Sequence, residues 1–256
     1  ITMKKHLMST VALLVLSAGV YAEEPLRVVT EGTFPPYSMT KADGSLTGFD
    51  VDIATALCAE MKMKCQMVAN EFDGIIPGLI AKKFDVAVAS MAITPERQKA
   101  VAFSDKYQGG FSTFVGRTGQ KLAGTPASMK GKNIAVQTGT IQANYARAVF
   151  APAGANLRMY STVENALLDV TSGRVDALMV EVGSAYELKK TPKGKLVELF
   201  GPKMNDPKYF GTGSGIAMRK DDKVLQGKVN AALKTILANG TYKKINDKYF
   251  DYNQYD

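Results

Sequence analysis

Histidine occurs once in the 256 residues, as His6; tryptophan does not occur, and the only cysteines are Cys58 and Cys65. His6 falls in a stretch that reads as a removable leader, so the remaining chain carries no imidazole. Ser-His-Asp catalysis, Cys-His catalysis and every His-ligated metal site are then excluded by counting, and neither a metal nor a cofactor is expected. Long apolar runs are missing too: past the leader no window approaches the ~20 apolar residues that a spanning helix needs. Basic residues outnumber acidic ones, for a net charge of +8, but they are scattered and often neighbour acids, as in Arg219-Lys-Asp-Asp222. Without a basic stripe interleaved with aromatics, nucleic acid is not an expected partner, and the scattered charges read as a solvated surface. A composition of 46% hydrophobic and 22% charged residues is that of an ordinary globular chain, neither collagen-like nor disordered.

Residues 1–22 have the layout of a secretory signal peptide. Lys4 and Lys5 precede an apolar stretch, residues 11–16, and Val20-Tyr-Ala22 supplies a cleavage site after Ala22. The apolar part is too short to anchor the chain in a membrane. Export makes a bridge between Cys58 and Cys65 permissible. Two unpaired buried cysteines at a helix end are the alternative, and the spacing does not suit CxxC redox chemistry.

From Leu26 onward short β-branched runs alternate with longer helical ones. Strands are expected over residues 26–30 and 84–90, and helices over residues 50–63 and from Pro95, with Thr94 as N-cap and Pro95 at N1. A second series begins at Asn133, with strands at residues 133–137, 157–161 and 175–181 and a helix at 140–149. Ser161-Thr-Val-Glu164 is a capping box opening a helix that ends near Gly173. Further strands fit residues 196–200 and 215–218, followed by helices at 224–238 and 241–249. Such alternation predicts α/β architecture with mostly parallel sheets. Two series of similar size predict two lobes, with extended crossovers at residues 108–112 and 206–214. The domain boundaries that follow are 23–110 and 209–256 for one lobe and 111–208 for the other, with a ligand site in the cleft between them.

Three local features point to a zwitterionic ligand. Arg97 stands in the first turn of a helix, where the macrodipole already supplies positive potential. An anionic ligand group clamped by its guanidinium would explain the placement, and an ion pair with Glu96 or plain solvation is the competing explanation. Gly139-Thr140 opens a helix after a strand, which offers free backbone amides or is simple capping. Glu181 ends a strand at the same level, where it would meet an ammonium or stand as an exposed acid. Phe34 and Phe72 fit either the flanks of a ligand or the core.

The order of motifs is more specific than any of them. Thr30-Glu-Gly-Thr-Phe-Pro-Pro-Tyr37, Gly48-Phe-Asp-Val-Asp-Ile53, Phe72-Asp-Gly-Ile-Ile-Pro77 and Ser90-Met-Ala-Ile-Thr-Pro-Glu-Arg97 resemble the periplasmic amino-acid-binding proteins of ABC importers. Gln137-Thr-Gly-Thr-Ile-Gln142, Ser172-Gly-Arg-Val-Asp-Ala177, Tyr209-Phe-Gly-Thr-Gly213 and Gly240-Thr-Tyr-Lys-Lys-Ile245 extend the likeness along the whole chain after the leader. The resemblance is strongest to the lysine/arginine/ornithine-, histidine- and opine-binding branch, which also carries a disulfide at the position of Cys58 and Cys65.

That resemblance implies a two-lobed type II periplasmic-binding fold, each lobe a mostly parallel sheet flanked by helices, acting as a monomer in the periplasm and delivering its cargo to an inner-membrane permease. It implies that Arg97 clamps an α-carboxylate with the amides of Ala92 and Ile141, and that Glu181 and the carbonyl of Ser90 meet the α-ammonium. Phe34 and Phe72 would sandwich the side chain and Glu31 would face its distal end, with Met91, Thr140 and Gln142 completing the site. Glu181 stands where the branch usually has aspartate, and Ala89 and Ala92 where many relatives have serine. The Thr-Glu-Gly start and the alanines resemble opine binders, while Glu31 favours a cationic tail. Arginine, lysine or ornithine is therefore the expected ligand, with an opine or another polar amino-acid derivative second. A different class, an exported lyase similar to cyclohexadienyl dehydratase, shares the fold, but no convincing acid–base pair stands out, so no catalytic residue is assigned.

Overall fold

The computed structural model describes residues 24–256; the leader, with His6, lies outside them. Two five-stranded sheets organise the chain. The first is built by β1 (Leu26–Thr30), a small hairpin layer β2–β4 (Thr33–Phe34, Ser38–Thr40, Leu46–Thr47), α1 (Phe49–Glu60), β5 (Cys65–Ala69), α2 (Ile75–Ile80), β6 (Val86–Ala87), α3 (Pro95–Ala100) and β7 (Ala102–Gln108). The second contains β8 (Ser112–Arg117), β9 (Asn133–Gln137), α4 (Ile141–Tyr145), β10 (Asn156–Tyr160), α5 (Val163–Ser172), β11 (Ala177–Glu181), α6 (Val182–Lys189) and β12 (Val197–Met204). After α7 (Pro207–Phe210) the chain returns to the first sheet as β13 (Ser214–Met218) and ends in α8 (Lys223–Ala238) and α9 (Thr241–Tyr249).

The strand orders are β5-β1-β6-β13-β7 and β10-β9-β11-β8-β12. In each sheet four strands share one direction, and the fourth in the order opposes them: β13 is antiparallel to β6 and β7, and β8 to β11 and β12. Those two are the strands that arrive from the other lobe. The mostly parallel expectation thus holds, and the exception in each sheet is a consequence of the double crossover.

Central strands are buried on both faces, so they read as continuous apolar runs. In β9, Ile134 and Val136 pack on the side of Phe114 and Phe150, while Ala135 faces Leu167 and Val170 of α5. In the first lobe α1, α8 and α9 bring Phe49, Ile53, Leu57, Leu225, Val229 and Tyr242 onto one face, and α2 brings Ile75 and Leu79 onto the other.

Local differences from the sequence expectations have physical reasons. The first helix stops at Glu60 because Lys62 takes φ +56°, which turns the chain into β5. Thr162, not Ser161, caps α5, its hydroxyl accepting from the Asn165 amide, so Glu164 does not close a capping box. The predicted helix over 140–149 begins at Ile141 behind the Thr140 cap and changes after Tyr145 to a π-helical turn. The second crossover is not extended throughout: Asp206 accepts from the Lys208 amide and Pro207 occupies the first turn, so α7 forms inside it.

Cys58 near the end of α1 and Cys65 at the start of β5 are joined by a disulfide across 7 positions, with Cα atoms 6.2 Å apart. A loop this small restricts the unfolded chain by about 2–3 kcal/mol. Replacing both cysteines by serine is expected to lower Tm by about 5–10 °C in a chain of this size, measured by differential scanning calorimetry. An unchanged Tm contradicts that.

Candidate functional site

A cavity of about 110 Å³ lies between the two lobes. Glu31, Phe34, Phe72, Ser90, Ala92 and Arg97 line it from the first lobe, and Thr140, Ile141, Gln142 and Glu181 from the second. Of the sequence-predicted residues, Met91 is absent from that wall: its side chain is buried in the core with Ile75, Leu79 and Phe103, and it offers only its carbonyl, which accepts from the Gly215 amide.

Arg97 is held by the local logic read from its segment. Thr94 caps α3, its hydroxyl accepting from the Arg97 amide at 3.2 Å, and Pro95 starts the first turn. The guanidinium donates to the Ala92 carbonyl at 3.0 Å and, across the cleft, to the Gly139 carbonyl at 3.1 Å, and it lies 5.4 Å from the Phe72 ring centre. No carboxylate pairs with it among the described residues. Burial therefore pulls Arg97 down to about 10, with Glu96 opposing only through space.

Residues with free backbone amides line the same cavity as this cation. Ala92 bridges Ser214, and the bridge is closed by Ile93 donating to Gly213 and Gly215 donating to Met91, which leaves the Ala92 amide outside the ladder. On the other wall Thr140 caps α4, accepting from the Ala143 amide at 3.1 Å. The first amides of a helix have no intrahelical acceptor, so those of Ile141 and Gln142 are free of the helix ladder. Gly139, at φ +78°, brings this loop against the first lobe, where a Cβ would stand 2.9 Å from that of Asp73. Only glycine suits both the backbone angle and the approach.

Glu31 and Glu181 belong to the cavity wall, and a third carboxylate, Asp50, stands behind Ser90. Glu31 accepts from Gln137 Nε2 of the second lobe at 2.6 Å and from Thr33 at 3.1 Å, and burial nonetheless pushes it up to about 6. Glu181 caps α6: its Oε2 accepts from the Gly183 amide at 2.7 Å, the Ser184 amide at 3.3 Å and the Tyr37 hydroxyl at 2.5 Å. Its Oε1 is enclosed without a hydrogen-bond partner, and desolvation lifts the group to about 7. Asp50 accepts from Tyr107 at 2.7 Å and from the Ser90 hydroxyl at 2.8 Å, and burial raises it to about 7. Together with the Tyr107 hydroxyl on its amide, that contact holds Ser90 at φ +49°, a left-handed conformation that serine rarely adopts.

The wall is thus chemically divided. It offers a guanidinium and backbone amides for an anion, two carboxylates, Glu31 and Glu181, for cations, and the apolar faces of Phe34 and Phe72. No group of three or more His, Cys, Asp or Glu among the described residues is placed to hold a metal ion.

Residues 26–252 match family 3 of the bacterial extracellular solute-binding proteins. The chain belongs to this family. As a family 3 protein it is 43% identical over 254 residues to the L-arginine-binding protein of Pseudomonas aeruginosa, with 98% of each chain covered. It is 38% identical over 258 residues to the lysine/arginine/ornithine-binding periplasmic protein of Escherichia coli K12, with 99% of each covered. Among solved structures an ancestral arginine-binding protein bound to arginine superposes with a TM-score of 0.82 at 35% identity, covering 88% of this chain and 98% of that one. The two-lobed architecture is that of the family.

Several residues that hold the side chains of this solute-binding protein's cleft were not singled out by sequence. Gln137 holds Glu31, Asp50 fixes Ser90, and Tyr37 holds Glu181. Asp50 had a readable signal, an acid between Phe49 and Val51 at the start of an apolar helix face. Tyr37 and Gln137 had none, because each acts on a partner more than 100 positions away.

Proposed function

We propose that this protein is a non-enzymatic receptor for a cationic amino acid, arginine, lysine or ornithine, which it captures in the periplasm between its lobes and hands to an ABC importer permease. The observation that carries the reading is the charge of the cavity wall. Two enclosed carboxylates face one guanidinium with no counter-ion, and a ligand with two cationic groups and one carboxylate is the complement. Arg97 with the amides of Ala92 and Ile141 takes the carboxylate, Glu181 and the Ser90 carbonyl take the α-ammonium, and Glu31 takes the tail between Phe34 and Phe72. An opine brings a further carboxylate, and Arg97 is the one basic residue among the described residues of the cavity wall. The names of the arginine- and lysine/arginine/ornithine-binding relatives agree with this reading, and none of these relatives is named as an enzyme. In the same reading residues 23–110 and 209–256 form one lobe and 111–208 the other, the chain works as a monomer, and ligand contacts favour the closed arrangement.

A thermal-shift panel of amino acids and opines tests the ligand class. Ligand at 100-fold above its Kd stabilises by about 2.7 kcal/mol, a Tm rise of about 5–10 °C for a chain of this length. Arginine, lysine and ornithine are expected to give it; an opine or a neutral amino acid giving the largest shift contradicts the reading.

The raised carboxylates also set a pH dependence. Glu181 sits at about 7 and must be ionised to hold an ammonium, so affinity is nearly complete by about pH 8 and falls as the group protonates at lower pH. Glu31, at about 6, adds a second proton lower down, while Arg97 stays charged throughout. Titration with arginine at pH 8 and pH 5.5 is expected to show about 30-fold weaker binding at the lower pH from Glu181 alone. A flat profile contradicts the assignment.

A further inference from the structure

The Tyr37 ring is wholly buried, and its hydroxyl, carried by the hairpin of the first lobe, reaches Glu181 of the second at 2.5 Å. Gln254, in the segment after α9, donates its side-chain amide to the same hydroxyl at 3.1 Å. A phenol that accepts from Gln254 has its own proton left for Glu181, so the direction of the contact is fixed. The Gln254 carbonyl in turn accepts from the Gly109 amide at 2.7 Å, on the first crossover, which anchors this segment beside the hinge. Gly183 leaves the hydroxyl its space: a Cβ there would stand 2.2 Å from the Tyr37 oxygen.

With Tyr37, Gly183 and Ser184 all donating to Oε2, Glu181 has one oxygen committed and one unpartnered. The unpartnered Oε1 lies next to Gly110, another residue of the cavity wall, where a Cβ would come within 2.7 Å of it. Glutamate has one more rotatable bond than aspartate, so at this position it needs an external restraint to present a single oxygen. We infer that Tyr37, oriented by Gln254, is a positioning residue that holds Glu181 in its ionised, one-oxygen presentation to the ligand's α-ammonium. The inference rests on the cationic amino-acid reading above and adds to it a residue outside the cavity wall. The titratable groups facing Glu181 are the Tyr37 phenol from the hairpin and the Tyr252 phenol from the segment after α9, with Asp50 of α1 acting through space. Each phenol is pushed above its ordinary range by burial, so neither ionises near neutral pH and the donor role of Tyr37 persists across the working range.

Tyr37→Phe keeps the ring and its 5.1 Å stack on Phe34 while removing the donor. Loss of a hydrogen bond to the ionised form disfavours that form. Arginine binding by the variant is therefore expected to be about tenfold weaker at pH 7, and the deficit relative to the wild type is expected to shrink by pH 8.5. The probe for the subsite is 5-guanidinopentanoate, which is arginine without its α-ammonium: its affinity is expected to be the same in both proteins. Gln254→Met, which keeps the phenol but frees its proton, should show the same ligand and pH pattern at smaller amplitude, and it serves if Tyr37→Phe is poorly folded by its melting curve. Equal losses for both ligands, or a loss independent of pH, would mean a merely structural role and overturn the inference. Wild-type binding of arginine with an unaltered Tyr37→Phe profile overturns this inference alone; a wild-type protein that binds no cationic amino acid overturns the functional reading with it.

Discussion

Arg97→Ala is expected to reduce binding of every α-amino acid by about 30-fold or more while leaving the protein folded. The guanidinium is half-buried, donates to the Ala92 and Gly139 carbonyls, lies over the Phe72 ring, and has no carboxylate partner among the described residues. A cation held in that way gains its compensating charge from what binds. Truncating one member of a buried, hydrogen-bonded charge pair costs about 2–5 kcal/mol, most of it from the charge left behind, and each 1.4 kcal/mol is about tenfold. The ligand carboxylate would retain only backbone amides. Folding should survive because the removed group has two carbonyl contacts and stacks on one ring, and calorimetry without ligand measures that directly. Arg97→Lys restores charge but not the two-pronged donor geometry, so partial recovery is expected. An alanine variant within tenfold of the wild type would remove Arg97 from the account.

Glu31→Gln is expected to separate ligands by their tails. Glu31 is enclosed, bound by Gln137 and Thr33, and pushed up to about 6 by desolvation. The amide keeps the shape, and its oxygen still accepts from Gln137, so the architecture of the cleft is preserved. What is lost is the charge that would face a guanidinium or a second ammonium. A hydrogen bond to a charged group contributes about 1.5–3 kcal/mol, so arginine, lysine and ornithine are expected to weaken by about 10–100-fold. Glutamine, whose tail is neutral, should change by less than about threefold. Equal losses for neutral and cationic ligands would show that Glu31 acts through the structure rather than through the tail.

The same carboxylates carry opposite consequences for the two forms of the protein. Groups whose native pKa is raised stabilise the fold below their unfolded values and lose that contribution as the pH rises through the native ones. Glu31 at about 6, with Asp50 and Glu181 at about 7, thus make the protein alone less stable from acid towards neutral pH, while a bound cation makes ionisation favourable. The cleft is charged ahead of need, and the ligand relieves it.

How much of this was readable beforehand depends on distance along the chain. Thr94, Pro95 and Arg97 form a local pattern, and α3 follows it closely. The strand at β9 and the Gly139-Thr140 turn were likewise legible, since period, glycine and cap all act within a few residues. α6 was not: its cap is Glu181, which sequence presents as the end of the strand β11. The family resemblance implies Met91 as a member of the site, yet alternation along the chain turns its side chain to the core. Tyr37, Gln137 and Gln254 were illegible because their partners are fixed by the double crossover, which brings together segments separated by 144, 106 and 217 positions.

The most direct test of the central claim is isothermal titration of the protein, unfolded to remove cargo and refolded, with L-arginine, L-glutamine and octopine at pH 8. The charge-complement account predicts one arginine per chain, bound at least about 100-fold more tightly than glutamine or octopine. Glutamine or octopine binding as tightly as arginine, or no arginine heat at all, would contradict it.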